Sequence, residues 1–253
     1  MKPEKDAKKT RAEIREKNAE GPPSAVLAVV DEVRKKIAFD DNPYFKALTD
    51  GTFVREDFVE TQKQFFHAVT AFGRPMAVLS SRIDDLQLRT ELMRNVWEEH
   101  GEGNAALSHR RTFQRFLSRL ETNDDETRQA GPEVRAFNLA ISGACSAEKL
   151  QTGLSVMGMV EYIFAEVSSW IGRAIVEKGW LKAEDVVHYD LHEKLDVRHA
   201  EDFFRALEPY MVNLDDVTPL RNDLLLGAHL FDELYRGLFA ARAKREDSPG
   251  KKT

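Results

Sequence analysis

The chain has 253 residues, of which 32% are charged and 42% hydrophobic, and a net charge of −6 at pH 7. This is the balance of a globular chain long enough for one buried core, and the basic residues are scattered among acidic ones, which excludes the cationic stripe of a nucleic-acid-binding protein. A single cysteine, Cys145, excludes intrachain disulfides and thiolate-rich zinc or iron–sulfur sites, so any metal must rest on oxygen and imidazole.

Met1 to Pro23 is dense in Lys, Glu and Arg and closes on Gly21, Pro22 and Pro23, so it reads as a flexible tail without an apolar signal core. Apolar residues then recur every three or four positions, which predicts helices at about 24–38, 55–82, 86–100, 104–121, 132–144, 147–178, 186–211 and 219–243. Gly101 and Gly103 break the chain between the third and fourth, Ser146 reads as the cap of the sixth, and Thr218-Pro219 opens the last. No apolar run approaches the ~20 residues of a membrane span, so a cytoplasmic protein without membrane partners is expected. Lys244 to Thr253 reads as a second flexible tail, and no segment reads as a strand. The expectation is one all-α domain, residues 24–243, built as a bundle of about seven to eight helices.

The most informative stretch is His192-Glu193-Lys194-Leu195-Asp196-Val197-Arg198-His199. On a helix, His192, Asp196 and His199 fall in one narrow arc, which continues through Phe203 and Leu207 and so belongs to the inward stripe. Ionisable groups are costly to bury there unless they are paired or bound to a metal. Glu161 stands alone among Leu154, Met157, Phe164 and Ser168, and His109 lies on a stripe with Ala105, Ala106, Phe113 and Phe116. Glu99 follows Leu88, Leu92 and Val96, whereas Glu98 follows Glu91 and Arg94, so Glu99 is the better inward carboxylate. Glu102 competes with it, because in an unbroken helix it shares the face of His109, seven residues on.

Glu99, His109, Glu161, His192, Asp196 and His199 thus give three carboxylates and three imidazoles, a set suited to two divalent ions in a helical bundle. Mixed oxygen and nitrogen ligation favours iron or manganese and is also compatible with zinc by ligand type. Two iron ions are the expected cofactor, with a manganese–iron pair as the alternative, and dioxygen is the expected co-substrate, reduced across the two metals to a bridging peroxide.

The order Glu, His ten residues on, a single later Glu, then His-x3-Asp-x2-His resembles the haem-oxygenase-like di-iron oxidases and oxygenases. The lead-in Asn42-Pro43-Tyr44-Phe45 to Gly51-Thr52, followed by a helix rich in Gln and Phe, is similar to the same superfamily, which includes thiaminase II and the pyrroloquinoline-quinone synthase. The resemblance covers most of Pro43 to Leu207 and implies a haem-oxygenase-like bundle, with the six residues as metal ligands and catalytic groups. It implies oxidation of a small molecule such as an amino acid, an amine or a fatty acid. One subgroup instead consumes its own tyrosine and lysine to yield an aminobenzoate. The expected partners are the small-molecule substrate and a second copy of the chain.

Departures narrow the choice. Thiaminase II needs a nucleophilic cysteine, and Cys145 falls away from the motifs; a haem oxygenase needs an early proximal histidine, which the first long helix lacks. The pyrroloquinoline-quinone synthase lacks this metal set. A ferritin-like store and a non-catalytic interaction module remain as alternatives of another class, the former disfavoured because the triad does not match paired Glu-x-x-His motifs. Glu60, Gln64 and His67 form a polar stripe that either lines a pocket or meets solvent. His188 and Arg198 flank the triad and could anchor a carboxylate or support the ligands from behind, with a surface role favoured for each, and Tyr162 and Tyr189 are candidates for a radical or sacrificial role.

Overall fold

The computed structural model describes residues 24–122, 129–211 and 216–246, and among these there are nine α-helices and no strand. The helices are α1 (Ser24–Lys36), α2 (Pro43–Asp50), α3 (Arg55–Ser81), α4 (Leu86–Glu99), α5 (His109–Arg119), α6 (Pro132–Ser146), α7 (Leu150–Glu177), α8 (Val187–Met211) and α9 (Thr218–Glu246). The tail expected at Met1–Pro23 lies outside the described residues, as does the other from Asp247 onward; Lys244 to Glu246 belong to α9 instead.

Four expectations need correction. The lead-in is itself a helix, α2, which starts where the Asn42 side chain accepts the Tyr44 N–H at 2.9 Å and Pro43 presets the first turn. Eight residues are too few to display a helical period. The helix expected over 104–121 is split into a 3₁₀ turn, Ala105–Leu107, and α5, because the Asn104 side chain caps the turn at Ala106 and the chain turns again at Ser108. Ser146 does not cap α7; its hydroxyl bonds back to the Ser142 carbonyl inside α6, and α7 begins three residues later behind Lys149. Finally, α7 is long and apolar enough to cross a membrane, but 78% of its most apolar window is buried inside the protein, as in a core helix.

The α7 helix is the axis of the bundle. It packs along α8 and α9, with α3, α6 and α2 closing the other sides. Its approach to α8 is set by Gly158, where an added Cβ would stand 2.7 Å from Phe204 Cε1 and 3.0 Å from Phe203 Cβ. This close seam places the polar stripe of α8 directly against Glu161. Phe65, Phe113, Phe164, Phe231 and Tyr235 fill the adjoining core with tilted, edge-on and stacked ring contacts.

Candidate metal centre

The six residues singled out by sequence come from four helices and meet in one place. His192, Asp196 and His199 share a face of α8, Glu161 projects from the middle of α7, Glu99 is the last residue of α4, and His109 is the first of α5. The turn between α4 and α5 brings the last two together. Gly101, at φ +82°, allows that turn: a Cβ there would sit 2.3 Å from the Asn104 carbonyl oxygen. Glu102 is left exposed on the turn at φ +52°, so the helix break removes it from the face of His109.

All six side chains are buried, with Asp196 and His199 fully so. Glu99, Glu161 and His199 place ligand atoms within 4.8 Å of one another. His199 Nδ1 lies 3.6 Å from Glu161 Oε1, 3.9 Å from Glu99 Oε1 and 4.0 Å from Asp196 Oδ1. Asp196 sits 2.9 Å from His192 Nδ1, and the His109 and His192 rings are 4.3 Å apart. His109 Nδ1 is 2.7 Å from Glu99 Oε1 but out of line for a hydrogen bond.

Four buried ligand-type atoms have no hydrogen-bond partner: His109 Nδ1, Glu161 Oε1, His192 Nε2 and His199 Nδ1. Each orphan of this kind costs about 1–3 kcal/mol. Their convergence with the Glu99 and Asp196 carboxylates is what a divalent cation requires, so the residues present fit an iron site.

The ion-free electrostatics carry the same strain. Burial, then the neighbouring Asp196, pushes Glu161 up to about 8; burial, then Glu99, does the same to Asp196, overriding the His199 charge that opposes it. Burial alone would raise Glu99 too, but His109 beside it and the further His199 and His192 hold it down to about 2. His192 is pushed well below its usual value by burial and by His109. Burial would lower His199 and His109 as well, but the Glu161 and Glu98 carboxylates hold His199 well above its usual value, and Glu99 raises His109.

Two residues read as surface groups stand behind the cluster. His188 is buried, its ring 4.3 Å from His192, with Nδ1 3.0 Å from the Thr112 hydroxyl. The signal was present, since 188 is one turn before 192 on the same stripe. Arg198 reaches across to Glu98, which is itself buried and accepts His199 Nε2–H at 3.0 Å. The imidazole therefore donates from one nitrogen to a carboxylate and presents the other to the cluster, an arrangement that orients metal ligands.

The remaining candidates lie elsewhere. Tyr162 bonds to Asp31 on α1, and the buried Tyr189 donates to Gln62. Gln64 holds the backbone at Gln129 and Gly131, and Lys63 pairs with Glu60, so this part of the polar stripe ties elements together. Burial pushes the Cys145 thiol up to about 12, as expected of an inert core cysteine. A chamber of about 40 Å³ abuts the cluster, walled by Phe65, Phe72, Phe137, Phe164, Phe231 and Val160, with Glu99, His109, Glu161 and His192 on its polar side.

Comparison with known proteins bears on the family and the fold. The 4-aminobenzoate synthase of Chlamydia muridarum is 24% identical over 179 residues, spanning 70% of this chain and 74% of that protein. The 4-aminobenzoate synthase of Nitrosomonas europaea is 22% identical over 194 residues, spanning 72% and 77%. Among solved structures, a CADD-like protein of unknown function from Nostoc punctiforme superposes with a TM-score of 0.68 at 10% identity, covering 88% of this chain and 99% of that one. A domain of unknown function with a haem oxygenase-like fold from Shewanella denitrificans gives 0.65 at 12% identity, covering 90% and 94%. The family model for iron-containing redox enzymes matches residues 59–236, a span that runs from α3 into α9 and takes in every residue of the cluster. The chain belongs to the iron-containing redox enzyme family and has its haem-oxygenase-like fold.

Proposed function

We propose that this protein is a non-haem di-iron oxidase or oxygenase that uses dioxygen to oxidise a small organic molecule. The observation that carries the reading is the convergence of four orphaned donor atoms and three buried carboxylates on the edge of an apolar chamber. Glu99, His109, Glu161, His192, Asp196 and His199 would hold the metals, and ferrous ions bound there would supply the electrons for the reduction of dioxygen.

The chain's own groups do the rest. Glu98 holds the proton on His199 Nε2, which keeps Nδ1 free as a donor. Asp196 accepts from His192 Nδ1 when that nitrogen carries the proton, and so leaves Nε2 facing the cluster. Phe164, whose ring is 5.0 Å from His192, and Phe65 beside it exclude water from the chamber.

The product named for the curated relatives, 4-aminobenzoate, gives a second reading. The self-consuming route implied by the resemblance needs a tyrosine and a lysine at the metals. Among the described residues neither type lines the chamber. That favours an external substrate. The test is oxygen uptake by protein loaded anaerobically with ferrous iron, with and without added amino acids, amines and fatty acids. We expect oxidation faster than that of free ferrous ion and further accelerated by one substrate class; uptake no faster than the free ion sinks the oxidase reading.

A further inference from the structure

His188 has one ring nitrogen committed and one free. Its Nδ1 lies 3.0 Å from the Thr112 hydroxyl, which itself donates to the His109 carbonyl at 3.0 Å. A hydroxyl has a single proton to give, so towards His188 it can only accept. The ring proton of His188 is therefore on Nδ1, and Nε2 carries a bare lone pair. That nitrogen is buried without a hydrogen-bond partner among the described residues, in a side chain that is 1% exposed. Burial beside two other imidazoles favours the neutral ring, the form that binds a cation.

Three rings meet here. The His188 and His109 centroids each stand 4.3 Å from that of His192 and 6.3 Å from one another. His188 and His192 are four residues apart on α8, the spacing at which two histidines on one helix face grip a single ion. His109 Nδ1 and His192 Nε2 are likewise buried without partners. Glu99, 2.7 Å from His109, joins these imidazoles to the oxygen-rich end of the cluster, where its ligand atoms and those of Glu161 and His199 lie within 4.8 Å of one another. For packing alone a phenylalanine at 188 would serve better, because an orphaned polar atom costs about 1–3 kcal/mol.

The geometry points to His188 as a seventh metal ligand, binding through Nε2 beside His109 and His192. Thr112 then does for His188 what Glu98 does for His199: it accepts from the nitrogen that does not bind the metal and so fixes which nitrogen is offered. The inference rests on the proposed function only in that the cluster holds a metal.

The test is proton NMR of the protein loaded anaerobically with cobalt(II), a paramagnetic stand-in for ferrous ion, together with equilibrium titration of the same ion. The N–H of an imidazole bound to cobalt gives a strongly shifted resonance that is absent from protein prepared in D2O. The parent should show one such resonance more than His188→Phe, which keeps a ring in place and removes the donor, and the variant should bind cobalt more than ~tenfold less tightly. Thr112→Val keeps the imidazole and removes the acceptor of its proton; it should move one shifted N–H resonance and leave their number unchanged, and it reads His188 even where the phenylalanine variant does not fold. Equal numbers of shifted resonances in the parent and His188→Phe, unchanged cobalt affinity in that variant, or a Thr112→Val spectrum with every shifted N–H where the parent has it would each overturn the inference. A parent that binds cobalt with His188 silent removes only the seventh ligand, whereas a parent that takes up no cobalt sinks the proposed metal centre with it.

Discussion

Two groups of buried carboxylates lie side by side between α4 and α8, and they are neutralised in opposite ways. In the outer group, Glu91 and Asp202 are matched by arginines: Arg205 lies 3.3 Å from Glu91 and 3.1 Å from Asp202, and Arg94 3.7 Å from Asp202. Glu98 joins the same ladder through Arg198. In the inner group, Glu99, Glu161 and Asp196 face only imidazoles and each other. The outer carboxylates are balanced by arginines built into the chain; in the inner group Glu161 and Asp196 are left with raised affinities for protons, and Glu99 is held down by imidazoles alone. Negative charge that folding leaves unmatched is a site awaiting a cation; matched negative charge is structure.

The sharpest way to break this comparison is to make the same substitution in both groups. Glu161→Gln should lower iron affinity by more than ~tenfold, the least that loss of a direct ligand would do given what changes in the groups that orient the ligands cost. Because it removes a carboxylate that is costly to bury, the metal-free variant should be more stable than the parent by about 1 kcal/mol. Glu91→Gln should leave iron binding intact. Metal analysis after anaerobic loading, with urea unfolding of the metal-free forms, reads both effects, and equal loss of iron in the two variants would erase the distinction.

Breaking the outer group from the other side should damage stability alone. Asp202→Ala leaves Arg94 and Arg205 facing each other without the buried carboxylate between them; because both guanidiniums are partly solvated, the loss should be about 1–2 kcal/mol. Iron should make no difference to that loss. A variant as stable as the parent by urea unfolding would mean that the arginine ladder is incidental.

A further expectation concerns pH dependence, which the inner group dominates, with the outer Asp202, also raised by burial, pointing the same way. Glu161 and Asp196 have folded values near 8, raised from ordinary ones near 4, so their contribution is present at low pH and is lost as pH rises toward 8. His199 and His109, raised in the fold, lose their contribution in the same direction. His188 and His192 are lowered and oppose this only below their unfolded value of 6.5. Between pH 6.5 and 8 all moving contributions therefore point one way, and the metal-free protein should melt at a lower temperature at pH 8 than at pH 6.5. Bound iron, which needs deprotonated ligands, should remove that slope. A metal-free melting temperature that rises over this range would contradict the inner group's assignment.

The inner group was legible in the sequence because Glu161 and the His192, Asp196, His199 triad interrupt apolar stripes, and an interruption of a period shows without any knowledge of the partner helix. The outer group was not. Glu98 follows Glu91 and Arg94 on what reads as a solvated face, and only the docking of α8, with Arg198, Asp202 and Arg205 at matching positions, buries it. For His188 the surface role was favoured over support of the ligands, although it lies on the triad's own stripe. The choice between Glu99 and Glu102 turned on backbone geometry: Gly101 bends the chain out of the helix, a consequence of its positive φ that periodicity does not register.

The most direct measurement of the central claim is anaerobic equilibrium titration of the metal-free chain with ferrous ion. Three buried carboxylates without a built-in cation predict saturable binding of about two irons per chain, abolished by His199→Ala and untouched by Glu91→Gln. Saturation at no iron, or binding that survives His199→Ala unchanged, would contradict it.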